Sequence, residues 1–396
     1  MIAPSDEASL AEAICAAYAS RAPLAISGNG TLDGMLRPVQ AAQFLRMDQC
    51  RGITLHSPKE LVLAARAGTT LRDIETALAA TGQHVIAEPP DYSRLMGTNT
   101  MPTIGGIVAA NLSGPRRIAA GAMRDHVLGV RAVNGLGEVI ASGGRVLKNV
   151  TGLDLCKLLA GSHGTLAVLS EITLKILPAP ETSASVVLRG LPPAQGVAAL
   201  AAALGSPFGV SGAAYLPPAA ASRLDEDAPI VIARIEEFAE SVAYRSERLA
   251  ALLSAFGVER QIWPAERSRA AWAAIRDADV LPANETDAVW RVSVRPSRGP
   301  DVLAVAQQVG ADGYLDWGGG LLLLAGPPTE TMHAAIMTAA HAAGGVWTLL
   351  RGPMGLRSAV PVVPREPPPL AALTRRVKAA MDPAGVLNPG RLLVGI

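Results

Sequence analysis

Cysteine is scarce in this chain. Cys15, Cys50 and Cys156 are the only three among 396 residues; their spacing gives no metal or iron–sulfur signature, and an odd count argues against a disulfide framework. A reducing compartment is expected. An excess of charge is also missing, since 35 basic residues face 34 acidic ones, which removes the electrostatic case for nucleic acid as a partner. No apolar run reaches membrane-spanning length, and Met1–Glu7 is acidic where a secretion leader would be basic and then apolar. The expected location is cytoplasmic, with docking onto an inner-membrane complex left open. What the chain has in quantity is apolar residues (49%) and glycine (39), enough over this length for two cores.

The glycines concentrate where chemistry can be read. In Thr103–Arg117, Thr103 can cap a helix, and Gly105 and Gly106 remove side chains that would keep an anion from backbone N–H groups. Ala109, Ala110, Ser113 and Gly114 then leave room for a flat or extended partner, and Arg116-Arg117 adds positive charge. A phosphate-bearing cofactor fits this pattern, and so does a glycine-rich turn before a core helix. A second candidate is Ser27-Gly28-Asn29-Gly30-Thr31 after the strand Leu24–Ile26, a loop able to turn successive N–H groups inward as an anion nest.

The rest of the first half reads as scaffold. Asp6–Arg21 has Leu10, Ile14, Ala17 and Tyr18 at helical spacing. From Ile53 to Ala67 the pattern predicts a strand, a helix start at Ser57-Pro58-Lys59-Glu60 and a short helix, and Thr70 with Asp73 opens another helix. Val127–Val133 and Gly137–Ala141 predict a hairpin around Asn134-Gly135. A long strand follows at Ala167–Leu177. Pro178-Ala179-Pro180-Glu181 marks a boundary, after which strands at Ser183–Arg189, Ile230–Glu236, Val289–Val294 and Leu321–Ala325 alternate with helices near Ala194–Leu204, Ala239–Phe256 and Thr329–Ala343.

With these pieces in order, the sequence resembles the flavin-binding domain of the vanillyl-alcohol-oxidase type, and within that group the FAD-binding accessory subunits of bacterial glycolate oxidases. The residues that carry the resemblance are Thr103–Arg117, Arg124–Val130, Asn134-Gly135, Lys148-Asn149-Val150-Thr151-Gly152, Asp154-Leu155 and Gly161-Ser162-x-Gly164-Thr165-Leu166. Asp316–Leu321, Thr348–Arg351 and Asp382-Pro383-x-Gly385-Val386-Leu387-Asn388-Pro389-Gly390 extend it through nearly the whole chain.

The resemblance implies an α+β fold, with a two-subdomain FAD-binding domain (residues 1–178), an α+β cap (179–370) and a C-terminal segment returning to the FAD domain (371–396). It implies that Ser27–Thr31 wrap the diphosphate and that Thr103, Ile104, Gly105, Gly106, Ala109, Ala110, Ser113, Gly114 and Arg116 belong to the cofactor site. Pro89 and Pro90 would lie against the flavin, and Gly164, Ile172 and Asn388 would complete the site. The implied partners are a catalytic FAD-containing subunit and an iron–sulfur subunit, with glycolate oxidised to glyoxylate through the complex.

Related enzymes that oxidise 2-hydroxy acids carry a metal motif of the type His-x-His-x-Gly-Asp-Gly-Asn-x-His. Here the corresponding Asp312–Gly320 contains no histidine, and the alternative of a self-sufficient FAD-dependent 2-hydroxy-acid or alcohol dehydrogenase is weakened. A flavin-free interaction module is weakened by the survival of both glycine loops. His163, His126 beside Asp125, and His333 with His341 read as structural or incidental. Arg351 is the candidate carboxylate anchor, and Asp316-Trp317 reads as a turn with a packed indole.

Some members of this family attach flavin through a histidine near the diphosphate loop, yet none lies between Ile26 and Arg37. The expectation is noncovalent FAD. Denaturation followed by filtration should leave FAD in the filtrate, and flavin retained on the polypeptide would refute it.

Overall fold

The computed structural model describes residues 1–145 and 152–395; Lys148–Thr151 of the quoted motif lie outside the described residues. The chain forms two compact units, one of residues 1–113, 122–179 and 365–396, the other of residues 114–121 and 180–364.

The first unit begins with helix α1 (Glu7–Ser20), fixed at its start by a capping box in which Ser9 N–H donates to Asp6 Oδ1 at 2.8 Å. Its apolar face, Leu10, Ile14 and Ala17, is buried as the spacing predicts. Strand β1 (Leu24–Ser27) pairs in parallel with β2 (Gln43–Arg46). Along β1, the chain end supplies a third extended segment: Leu24 N–H donates to Val386 O at 2.8 Å and Asn388 N–H to Leu24 O at 3.1 Å. Leu24, Leu45, Val386 and Leu387 are fully buried in that seam, each stabilising the fold by roughly 1.5–3 kcal/mol through burial.

A larger sheet continues the unit. Among the described residues its order is β3 (Ile53–Ser57), β4 (Val62–Arg66), β8 (Ala167–Pro178), β6 (Val127–Asn134), β7 (Val139–Gly143), with β5 (Gln83–Val85) also paired to β8. The long central β8 holds three strands, so it organises the layer. Two expectations are corrected here. Residues 62–66 form β4 rather than a helix, because the antiparallel partners β3 and β8 take up its backbone. The turn between β6 and β7 does not rest on an Asn-Gly left-handed pair: Gly137 takes the positive φ (82°), and Asn134 Oδ1 accepts from Leu136 and Glu138 N–H. Gly135 is small for another reason, since a Cβ there would stand 2.4 Å from Asp382 Oδ1. Helix α2 (Leu71–Ala79) is capped by Thr70 as expected.

The second unit is built on an antiparallel sheet. Among its described residues the order is β12-β9-β11-β10-β14-β15-β13-β16, where β9 is Thr182–Arg189, β10 Val210–Leu216, β11 Ile230–Glu237, β12 Arg260–Trp263, β13 Ala288–Ser293, β14 Asp312–Asp316, β15 Leu321–Gly326 and β16 Val346–Arg351. The four strands expected from sequence correspond to β9, β11, β13 and β15, whose side chains are buried along most of their length. The expected helices are present at Pro193–Leu204, Ala239–Leu253 and Glu330–Ala342. No described helix is long and apolar enough to cross a membrane.

The chain end is locked to the first unit by a buried ion pair. On the helix Pro368–Met381, Lys378 Nζ donates to Asp382 Oδ2 and Thr165 O, each at 2.7 Å, and to Leu387 O at 3.0 Å. Asp382 in turn accepts from Val386 and Leu387 N–H. Burial pushes the Lys378 ammonium below its ordinary pKa, opposed by Asp382. Removing one member leaves the other charge buried and unpaired, so Asp382→Ala should destabilise the first unit by about 3–5 kcal/mol, read as a fall in its urea-unfolding midpoint.

Candidate functional site

A crevice in the first unit encloses about 790 Å³, part of it open to solvent, and its walls come mainly from four stretches of chain, with Met47 and Ala67 added singly. The first is the end of β1 and the loop beyond it, Ile26–Asp33. The second is Pro102, Thr103 and the short helix α3 (Ile104–Ala109) with Ala110, the third runs from His163 to the start of β8, and the last contributes Asn388 and Arg391.

The loop and the helix are held together by glycine. A Cβ on Gly28 would fall 2.2 Å from Thr103 Oγ1, and one on Gly105 would meet Ala67 Cβ and O at 2.8 Å. Both residues are therefore contact points where backbone lies against its neighbour. Asn29 Nδ2 donates to Met101 O and Thr31 Oγ1 to Thr100 O, fixing the loop along 100–103. At the head of α3, Ile104 N–H donates to Thr69 O, Gly105 N–H to Ala67 O and Gly106 N–H to Thr103 Oγ1. These helix N–H groups already have partners inside the protein. By contrast, the backbone N–H groups of Gly28, Asn29, Gly30 and Thr31 have no acceptor among the described residues, and Gly30 holds a φ of +84°. Successive free N–H groups in a glycine-shaped loop form an anion nest.

Asn388 sets the opposite wall. Its Oδ1 accepts from Ile26 N–H at 2.7 Å, and its Nδ2 donates to Ile26 O at 3.2 Å and His163 O at 2.9 Å. The Asn388 amide thus takes both backbone groups of Ile26, as a neighbouring strand would. Gly164, at φ +71°, gives it space, since a Cβ there would stand 3.0 Å from Nδ2. His163 is half-buried beside it and titrates at about 3, first because burial disfavours the charged ring and second because Arg391 is near. Near neutral pH it presents a neutral imidazole to the crevice.

Of the residues expected from sequence, Ser27–Thr31, Thr103, Gly105, Gly106, Ala109, Ala110, Gly164 and Asn388 line this one crevice. Ile104 and Ile172 are fully buried beside it, in the core. Pro89 and Pro90 lie outside the lining, as does Ser113, whose hydroxyl accepts from Met123 N–H. Gly114 and Arg116 belong to the second unit. There Gly114 O accepts from the Trp317 indole at 3.1 Å, and Arg116 forms a bidentate pair with Glu236 at 3.0 and 2.6 Å. Burial raises the Glu236 carboxyl, but Arg234, Arg116 and Ser211 outweigh it and hold it at about 2. Arg391, Asp33, Met47, Ala67 and Pro102 are lining residues that sequence reasoning missed; no local motif marks them.

The other candidates have structural duties. Asp125 Oδ2 accepts from Ala122 N–H, and His126 is buried. Trp317 is packed as expected, its ring covered by Arg117 at 4.4 Å and Arg291 at 5.1 Å, while Asp316 caps its N–H. His333 Nδ1 accepts from the Trp290 indole. Arg351 donates to Asp287 O and Asn284 O, bracing that loop.

A half-buried nest beside small-residue walls has the shape and donors that a phosphate-bearing cofactor needs. The FAD binding domain family matches residues 1–143. The fold is that of p-cresol methylhydroxylase, with a TM-score of 0.74 over 99% of this chain and 88% of that one at 12% identity. The chain is thus an FAD-binding flavoprotein of the oxidoreductase class. It belongs to the family of the glycolate oxidase subunit GlcE: it is 33% identical to the Escherichia coli (strain K12) protein of that name over 97% of this chain and 96% of that protein. The glycolate oxidase subunit GlcD of Bacillus subtilis (strain 168) is 33% identical over 46% of this chain and 37% of its own length.

Gly30→Val and Gly105→Val should each lose most bound FAD while keeping far-UV ellipticity. The first forces a side chain into left-handed backbone, at about 1–2 kcal/mol, against Arg46; the second pushes α3 off Ala67. Sequence alone would offer Gly319→Ala as the neutral control, but Gly319 sits at φ +103° with Val197 2.8 Å from a Cβ. Gly355, with nothing within 4 Å, is the control instead. Unchanged flavin absorbance per chain in both valine variants would refute the placement.

Proposed function

We propose that this chain is the FAD-carrying accessory subunit of a glycolate oxidase, working beside a catalytic FAD-containing subunit and an iron–sulfur subunit. In this reading the first unit is the FAD-binding domain, with FAD held noncovalently, and the second is an α+β cap. The observation that carries the reading is the nest at Gly28–Thr31, facing α3 and closed by Asn388. Its free N–H groups would take diphosphate oxygens, and the small residues Gly106, Ala109 and Ala110 would leave space for the rest of the cofactor. Bound FAD supplies an acceptor for two electrons that can pass them on.

Oxidation of a 2-hydroxy acid also needs a group to take the hydroxyl proton and a positive site for the carboxylate. In the second unit Asp316, Trp317 and Arg351 are engaged in capping, packing and bracing, which supports a supporting role for this chain and not the substrate-oxidising one. His163 gives no support to the second reading, a self-sufficient 2-hydroxy-acid dehydrogenase, since an imidazole held at about 3 by burial and Arg391 is a weak proton acceptor near neutral pH.

The purified chain alone should show no glycolate-dependent dye reduction, and activity should appear when the two other subunits are co-expressed. Robust turnover by the purified single chain would establish the dehydrogenase reading instead.

A further inference from the structure

The loop that carries the free N–H groups has a cation against it that the reading above leaves unused. β2 runs parallel to β1 with Arg46 opposite Ser27, so Arg46 leaves its strand where β1 turns into the nest. Its Nη2 and Nη1 lie 2.9 and 3.1 Å from the place a Cβ on Gly30 would take. The side chain is 25% exposed, and its contact among the described residues is a 4.0 Å approach of Nη1 to Asp33 Oδ2. That separation is too long for a hydrogen bond. Arg391, the other arginine at this loop, is occupied: Nη2 donates to Leu32 O at 2.8 Å, and Nη1 approaches Asp33 O and Arg37 O at 3.4 Å. One arginine shapes the loop and the other keeps its donors.

We propose that Arg46 is the residue that neutralises the cofactor diphosphate, an inference that rests on the crevice being the FAD site. The nest alone offers neutral N–H groups, and a diphosphate brings two negative charges. A guanidinium packed against that loop supplies the missing charge and donors suited to phosphate oxygens. Asp33 opposes it weakly, because its carboxylate is 53% exposed and solvent screens the pair. Gly30 acquires a second reason to be glycine: a side chain there would displace this guanidinium.

The test uses the full-length chain freed of flavin, titrated with FAD and, separately, with riboflavin, which has no phosphate. Arg46→Gln should weaken FAD about ten- to a hundredfold, with Arg46→Lys in between, and should flatten the loss of FAD affinity with added salt. Riboflavin binding and the thermal midpoint without flavin should be the same in all three proteins. FAD affinity and salt dependence unchanged in Arg46→Gln, while Gly30→Val still loses FAD, would overturn the role of Arg46 and leave the crevice assignment standing. An equal weakening of riboflavin would also overturn it, in favour of a packing role. If Gly30→Val too binds FAD normally, the crevice assignment fails first.

Discussion

The crevice of the first unit depends on one side chain near the far end of the sequence. Asn388 bonds both backbone groups of Ile26 and reaches His163 O, so the end of β1 is held by a residue that arrives after the second unit has been made. Closing so long a segment carries a conformational-entropy cost that grows slowly with length. The seam of Leu24, Leu45, Val386 and Leu387, together with the Lys378–Asp382 pair, offsets it. Asn388 itself has a φ of 42°, a left-handed conformation that asparagine tolerates better than most residues. The Gly28–Thr31 loop begins directly after the strand so fixed. Any ligand that binds only the closed crevice would stabilise docking of the chain end by mass action.

The same loop and helix show why glycine-rich sequence can be read correctly for the wrong reason. Gly105 and Gly106 suggest N–H groups open to an anion, yet in the structure those donors bond Ala67 O and Thr103 Oγ1. The value of Gly105 lies in close packing against Ala67. The open donors are on the loop Gly28–Thr31, where Gly30 supplies a backbone conformation and Gly28 supplies proximity to Thr103. Two glycine motifs therefore make one site by different means, one as wall and one as nest.

How much was legible follows from the same distinction. Helices with apolar residues at helical spacing and long apolar strands such as β9, β11 and β15 announce themselves locally. β10 (VSGAAYL) and β14 (DGYLD) mix glycine, alanine and polar residues, and their strand character comes from their neighbours in the sheet. β4 was taken for a helix because alanine-rich VLAAR suits either state until β3 and β8 pair with it. Within the site, motif residues adjacent in sequence were found. Met47 and Arg391 were not, because their place in the crevice comes from strand register and from a segment more than three hundred residues away. Arg116 illustrates the converse: its charge was legible, but its partner Glu236 lies in another stretch of chain and commits it to the second unit.

The fold of p-cresol methylhydroxylase is shared at 12% identity, and likeness at that level specifies a scaffold and no chemistry. The distribution of polar partners narrows the reading further. Asp316, Arg351, Arg116 and Arg391 all bond protein groups, as buried or half-buried polar atoms generally do. The backbone N–H groups of Gly28–Thr31, on the crevice wall, have no acceptor among the described residues. An anion with several oxygens can serve them as one multivalent acceptor. Stability alone would have been served by satisfying these donors internally, as the head of α3 is. Their clustering on one loop is therefore a feature that folding alone does not account for.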